Sequence, residues 1–163
     1  MARPEPQDER DRQFLDIIDR FGWHVMQVHG TDEEPPFSYS TGIFERTGFP
    51  EIILIGLLPD VAKSAINDYG NRLVAGERFE PGDLYMDFLE GHPVTFLVAS
   101  DPKAVSDYVT WTDWYYDRQP FPLVQLVYPD SRTGAFPWQP GYREAWIPIQ
   151  PLLGPVPSMQ ISS

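Results

Sequence analysis

An unbroken run of large aliphatic residues, Ile52 to Ile55, limits the kind of sheet that this chain can form. A strand with one face in water alternates apolar and polar side chains, and this segment does not. The segment from Glu51 to Leu57 is therefore predicted to be a central strand, buried on both faces and not at an edge of its sheet.

Helix and strand signals lie on both sides of this segment. Residues 8–21 repeat apolar side chains at helical spacing and are followed by Gly22 as a stop. Pro59 and Asp60 start a second helix, and Ser100 to Pro102 start a third that runs to about Tyr116. Further strands are predicted at residues 23–28, 83–89, 94–99 and 122–128.

This order of elements predicts an α+β fold with a mixed, mainly antiparallel sheet and about three helices. Short connections between consecutive strands produce antiparallel neighbours, whereas helical connections permit parallel ones. The 163 residues fit a single domain spanning 1–163, with a globular core at 8–153 and flexible ends at 1–7 and 154–163. The aromatic residues of the proline-rich segment 134–142 predict an ordered loop there.

The strand predicted at residues 35–46 carries more hydroxyl groups than a core strand needs. Alternation separates its side chains into two faces. The face predicted to point to the core holds Phe37, Tyr39, Thr41 and Ile43. The other face is small and smooth, and packs against a helix or, alternatively, a ligand; it holds Ser38, Ser40 and Gly42. A glycine this late in a strand predicts a bulge or a close approach of another backbone.

Charge and cysteine content exclude several classes of function. The chain has 24 acidic and 12 basic residues, a formal net charge of -12, which disfavours nucleic acids and anionic membranes as partners. The absence of cysteine excludes disulfides, zinc–thiolate sites, iron–sulfur clusters and thiol catalysis. No apolar run approaches the roughly 20 residues of a membrane span, and residues 1–20 lack a signal-peptide core, so a cytoplasmic location is expected.

Five side chains are candidates for a binding site: His24, Tyr39, Thr41, Trp114 and Trp138. His24, on a predicted strand, is either held by a backbone partner or serves as a general base or ligand contact. Tyr39 and Thr41 can orient a ligand with their hydroxyls. A pocket is expected between their strand, His24 and the Trp138 loop, which Pro137 and Pro140 stiffen.

Trp114 belongs to an aromatic group on the third predicted helix, spread over more than one face: Tyr108, Trp111, Trp114, Tyr115 and Tyr116. We interpret the loop that contains Phe136, Trp138 and Tyr142 as the cover of this group. The alternative is that the aromatic residues line a cleft or an interface.

No metal site and no cofactor are predicted. His24 and His29 point to opposite faces while their strand lasts, and the acidic loop from Asp32 to Glu34 lacks the spacing of a calcium loop. The sequence contains no G-x-S-x-G elbow, no P-loop and no G-x-G-x-x-G fingerprint.

Five short motifs lie along the chain: Gly22 to Val25, Pro35 to Ile43, Gly48 to Glu51, Leu123 to Asp130 and Phe136 to Tyr142. As a set, they resemble a bacterial family known as domain of unknown function 4262. The resemblance covers roughly residues 20–153 and implies a fold without implying a reaction. The strand that ends in Ser-Thr-Gly-Ile is also weakly similar to bacterial suppressor-of-fused-like domains, some of which act as binding or immunity proteins.

A binding or protein-interaction module is the favoured function, because neither a nucleophile–base pair nor a set of metal ligands is visible. The alternative is a small-molecule enzyme with a polar pocket near His24, Tyr39 and Thr41, so enzymatic activity is left open. The partner is then an unknown protein or a small-molecule ligand, and a homo-oligomer is an open alternative. A cavity that holds His24 in a perturbed environment favours the enzyme, and an exposed apolar patch favours the interaction module.

Overall fold

A computed structural model describes residues 3–157 of the chain. Its helices are α1 (Glu9–Phe21), α2 (Ile43–Thr47), α3 (Pro59–Val74) and α4 (Thr110–Tyr115), with a π-helical turn at Ala104–Tyr108 and a 3-10 turn at Glu144–Trp146. Its strands are β1 (His24–Val28), β2 (Phe37–Thr41), β3 (Glu51–Ile55), β4 (Tyr85–Leu89), β5 (His92–Val98) and β6 (Leu123–Val127). The predicted α+β class is confirmed, with more short helical turns than expected.

The six strands form one mixed sheet in the order β1-β2-β3-β6-β5-β4. β3 and β6 run parallel, with Glu51 opposite Leu123, and every other neighbouring pair is antiparallel. All five residues of β3 are buried. The prediction of a mainly antiparallel sheet with Ile52 to Ile55 at its centre is confirmed.

The two faces of the sheet are covered by different elements. Helix α3 packs its buried residues, among them Ala62, Ala65 and Ile66, against the face formed by Ile52, Leu54 and Leu126. The opposite face packs Tyr39 and Ile53 beneath the segment that includes Ala104 and Val109. Helix α1 closes this second face near β1 and α4 through Phe14 and Ile18.

Helix α1 begins and ends where its sequence predicts. The side chain of Asp8 accepts a hydrogen bond from the amide of Asp11, which caps the first turn. Gly22 adopts a left-handed conformation with φ of 98° and donates its amide to the carbonyl of Ile18. The chain therefore reverses sharply and enters β1 directly.

Two predicted elements are shorter than expected. The strand predicted at residues 35–46 ends at Thr41, because Gly42 turns the backbone with φ of 110° and α2 follows. The helix predicted from about Ser100 to Tyr116 is split into the π-helical turn and α4. The break lies at Val109, which leaves helical dihedral angles and buries its side chain completely under the sheet.

The ends of the described segment contact the rest of the chain. Arg3 lies 2.7 Å from the carboxylate of Asp19, and Gly154 sits against the carbonyl of Val98. The predicted flexible ends also include residues 1–2 and 158–163, which lie outside the described residues. Between residues 3 and 157, no helix has both the length and the apolar character to cross a membrane.

Candidate functional site

A cleft of about 490 Å³ lies beside the start of β1, between α1 and α3. Helix α1 contributes Ile17 and Phe21 to one wall, and Trp23 to Val25 form the floor. This size is within the usual range of pockets for small organic ligands.

The wall formed by α3 carries three polar side chains spaced four residues apart: Lys63, Asn67 and Asn71. Residues four apart project from the same side of a helix, so the three line the cleft together. The amide oxygen of Asn67 accepts a hydrogen bond of 2.9 Å from the indole of Trp23. Within residues 3–157, Lys63 and Asn71 make no ion pair or side-chain hydrogen bond, so their donors face the cleft unengaged.

Trp23 is held rigidly in the floor of the cleft. It is 8% exposed, and its ring lies so close to Gly70 of α3 that a Cβ atom at that position would be 2.6 Å from it. Only a glycine at this point of the helix leaves room for the indole. The hydrogen bond to Asn67 and this contact together fix the shape of the cleft before any ligand arrives.

His24 lies at the point where the cleft meets the sheet. Its ring packs 4.5 Å from the ring of Phe14, and its Nδ1 atom is buried without a hydrogen-bond partner among residues 3–157. Burial and the nearby positive charge of Lys63 lower the pKa of His24 from 6.5 to about 4. The imidazole is therefore neutral at physiological pH.

Tyr39 and Thr41 share the face of the sheet with His24, and Thr41 is the direct partner of His24 across β1 and β2. Both side chains are buried, and both hydroxyls are engaged by α4. The Tyr39 hydroxyl accepts a hydrogen bond of 3.3 Å from the amide of Trp111. The Thr41 hydroxyl lies 2.8 Å from the hydroxyl of Thr112. These groups therefore anchor α4 to the sheet and do not open into the cleft.

Trp114 is joined to His24 through one intervening ring. Phe14 of α1 lies 6.0 Å from Trp114 and 4.5 Å from His24. Tyr115, the last residue of α4, and Tyr116, which follows it, are buried and pack against Phe14 and Ile18 of α1. Helix α1, and not the predicted loop at 134–142, is thus the cover of the aromatic helix, because α1 presents its apolar stripe directly to it.

Trp138 lies in a different part of the molecule. It stacks on Phe136 with 5.6 Å between ring centroids and packs with Leu97 of β5 and Val127 of β6. Strand β6 is three positions from β1 in the sheet, a separation of roughly 14 Å. The structure thus brings His24, Tyr39 and Thr41 to one region, connects Trp114 to it and places Trp138 elsewhere.

Sequence reasoning missed the most connected polar group of the core, the carboxylate of Glu51. It is fully buried and accepts hydrogen bonds from the Ser40 hydroxyl at 2.7 Å, from the Gly42 amide at 2.8 Å and from the Tyr116 phenol. The amides of Ile43 and Phe44 also donate to it, at 3.1 and 3.2 Å. Burial raises the pKa of Glu51, whereas these hydrogen bonds oppose that shift. A lone acid before four aliphatic residues was the available signal.

The polar wall of α3 was also missed. Lys63, Asn67 and Asn71 have a four-residue period, but polar residues at this spacing are typical of any solvated helix face. Among residues 3–157, no group of three or more His, Asp or Glu side chains is arranged to hold a metal ion.

A family model described as Domain of unknown function (DUF4262) matches residues 17–143. The chain belongs to this family. All residues that line the cleft, from Ile17 to Asn71, lie inside the DUF4262 segment, and so does Trp138. No curated protein and no solved structure matches the chain.

Proposed function

We propose that this DUF4262 chain is a binding module whose small-molecule ligand occupies the cleft between α1, α3 and β1. The observation that carries this proposal is one ligand-sized cleft lined by two polar side chains, Lys63 and Asn71 of α3, that have no ion pair or side-chain hydrogen bond among residues 3–157. The neutral imidazole of His24, from β1, lines the same cleft. A concave site lined by apolar side chains and a few polar groups with free donors is typical of small-molecule pockets, so a ligand is a natural occupant of this space.

The walls of the cleft support binding without a large rearrangement. Trp23 is fixed by Asn67 and by the close contact with Gly70. A rigid aromatic floor offers contact area to a ligand at a low cost in conformational entropy.

The alternative, an enzyme with a pocket near His24, Tyr39 and Thr41, has weaker support. A general base works best with a pKa near the operating pH, and the pKa of His24 is lowered to about 4. No carboxylate between residues 3 and 157 orients its Nδ1, and the hydroxyls of Tyr39 and Thr41 are already engaged by α4. These features favour binding over catalysis.

The test is a metabolite screen monitored by amide and indole NMR signals of the ¹⁵N-labelled protein. We expect hits to shift the indole signal of Trp23 and the side-chain amide signals of Asn67 and Asn71. The variant Asn71→Trp should fill the cleft and abolish these shifts. Ser64→Trp is the matched control, because Ser64 is exposed on the same helix and does not line the cleft.

Two outcomes would contradict the proposal. One is a library that leaves every cleft signal unchanged. The other is a set of hits that bind Asn71→Trp as well as they bind the wild-type protein, since the ligand would then occupy another surface.

A further inference from the structure

We infer that the ligand of this cleft is a small apolar organic acid, with its carboxylate at Lys63 and its apolar body against Ile17 and Phe21. This inference rests on the proposed function, since it specifies the chemistry of a ligand for the same cleft.

The charge of the cleft is opposite to that of the chain. The sequence has 24 acidic and 12 basic residues, yet among residues 3–157 no carboxylate lines this cleft and Lys63 is its one charged lining residue. A second cleft, of about 430 Å³, has the composition that the overall charge would suggest. Its lining includes Glu34, Asp101 and Asp107, with Lys103 as the cation. The absence of acids from the lining is therefore a local property of the first cleft, and it favours an anion there.

Hydrogen-bonding capacity points the same way. The ammonium of Lys63 has donors and no acceptor, and the side-chain amide of Asn71 adds two donors and one acceptor oxygen on the same side of α3. The oxygen of Asn67 already accepts from the indole of Trp23, which leaves the two N–H donors of its amino group fully available, so donors outnumber acceptors. A carboxylate accepts several hydrogen bonds through its two oxygens and so matches a wall of donors.

The opposite wall requires an apolar body. Ile17 and Phe21 are one helical turn apart on α1, and the side chain of Phe21 is 72% exposed. Trp23 continues this apolar surface across the floor. A ligand that covers Ile17 and Phe21 removes apolar surface from water, which favours binding, and Trp23, which is 8% exposed, adds only a small area.

A monoanion fits better than a dianion such as a phosphate ester. Lys63 supplies a single positive charge, and the α3 residues of the cleft lie beyond the first turn of their helix, away from its N-terminal amides. Phosphate sites typically combine such backbone amides with arginine.

The experiment compares three probes that share one apolar body and differ in the charge of the head group: 4-phenylbutyrate, 4-phenylbutan-1-ol and 4-phenylbutan-1-amine. The affinity of each probe is measured by NMR, from the shift of the Trp23 indole signal as the probe is added. We expect the acid to bind about tenfold more tightly than the alcohol, the lower end of the range for one charge-assisted hydrogen bond because Lys63 is exposed, and the amine to bind most weakly.

Variants locate the effect. Lys63→Met should reduce the affinity for the acid to that for the alcohol and leave the alcohol unchanged, whereas Lys63→Arg should retain the preference for the acid. Lys103→Met is the matched control, because it removes the other lysine of the chain from the second cleft. Lys63 is exposed, so these variants should fold.

The outcomes separate this inference from the proposed function. Equal affinities for the three probes, tighter binding of the amine or an acid preference that survives Lys63→Met would overturn the organic-acid inference while the cleft remains a binding site. Cleft signals that respond to library compounds but not to 4-phenylbutyrate would also overturn it. A cleft that responds to neither the probes nor the library contradicts both.

Discussion

The carboxylate of Glu51 at the start of β3 accepts a hydrogen bond from the phenol of Tyr116, which lies 65 residues further along the chain. The same carboxylate accepts a hydrogen bond from the amide of Gly42. One buried side chain therefore connects β3, the start of α2 and the end of α4. The acid is therefore a structural centre of the core.

Replacing this acid should be costly. In Glu51→Gln, the amide group would place its own hydrogens against backbone donors, leaving buried amides unsatisfied. We expect a loss of about 3 kcal/mol or more in the free energy of unfolding, measured by urea denaturation. Glu90→Gln, at an exposed turn, should change it by less than about 0.5 kcal/mol. Similar small losses in both variants would show that the buried network contributes little.

Gly42 should tolerate substitution less well than Gly48, although both flank α2 and both have positive φ. A Cβ atom at Gly42 would lie 3.1 Å from the carbonyl of Gly22, whereas no atom of residues 3–157 outside its own chain neighbours lies within 4 Å of one at Gly48. Both Gly→Val variants should lose about 1–2 kcal/mol from backbone strain, and Gly42→Val should lose about 1–3 kcal/mol more from the close contact. If Gly42→Val and Gly48→Val lower the melting temperature equally, the close contact at Gly42 contributes nothing to the difference.

The lowered pKa of His24 should make the protein less stable as the pH falls from 6.5 towards 4. In this range the unfolded chain takes up a proton on His24 and the folded chain does not, so acid favours unfolding. We expect the effect to reach about 2 kcal/mol after allowance for partial exposure to solvent. The free energy of unfolding, measured by urea denaturation at several pH values, should depend less on pH in His24→Phe than in the wild-type protein. An equal pH dependence in the two proteins would contradict the assignment.

The pKa of the buried Asp130 is held well below its ordinary value of 3.8 by the hydrogen bonds from Arg143. A carboxyl group with a lowered pKa stabilises the fold above its ordinary pKa and loses this effect as the pH falls below it. Asp130→Asn should therefore be clearly less stable than wild type at neutral pH, and the difference should shrink in acid below pH 3.8. Differential scanning calorimetry at several pH values measures it, and a difference that is independent of pH would be the contrary result.

Trp138→Ala should affect stability and leave the cleft unaffected. Trp138 stacks on the buried Phe136 but is partly exposed, so we expect a loss of about 2–3 kcal/mol, less than for a fully buried aromatic residue. Binding of 4-phenylbutyrate should be unchanged, because the stack lies at β5 and β6. A protein that melts normally and no longer binds would instead place Trp138 in the ligand site.

Much of the fold follows from local sequence signals. The apolar run of β3, the cap at Asp8 and the stop at Gly22 each act over a few residues and are readable directly. The end of β2 at Thr41 could not be predicted from the sequence. It depends on hydrogen bonds that the amides of Gly42 and Ile43 donate to Glu51, which lies across a turn. The break at Val109 likewise reflects burial under the sheet, which no local pattern specifies.

The site was readable only in part. His24 is recognisable as a lone histidine on a strand, but its partner wall comes from α3, about 40 residues later. The prolines around Trp138 indicate a rigid loop without indicating where the loop docks. Docking is decided by the order of strands in the sheet, and this order depends on pairings between distant segments.

The position of β6 has a consequence for the way the chain is made. β6 is the last strand of the described segment, yet it lies between β3 and β5 in the middle of the sheet. A nascent chain that has not yet emerged as far as Leu123 has two separate groups of strands, β1-β2-β3 and β4-β5. The edges of β3 and β5 are apolar and open until β6 arrives. During synthesis on the ribosome, the aggregation-prone edges of β3 and β5 therefore stay unpaired until β6, the last described strand, has been made.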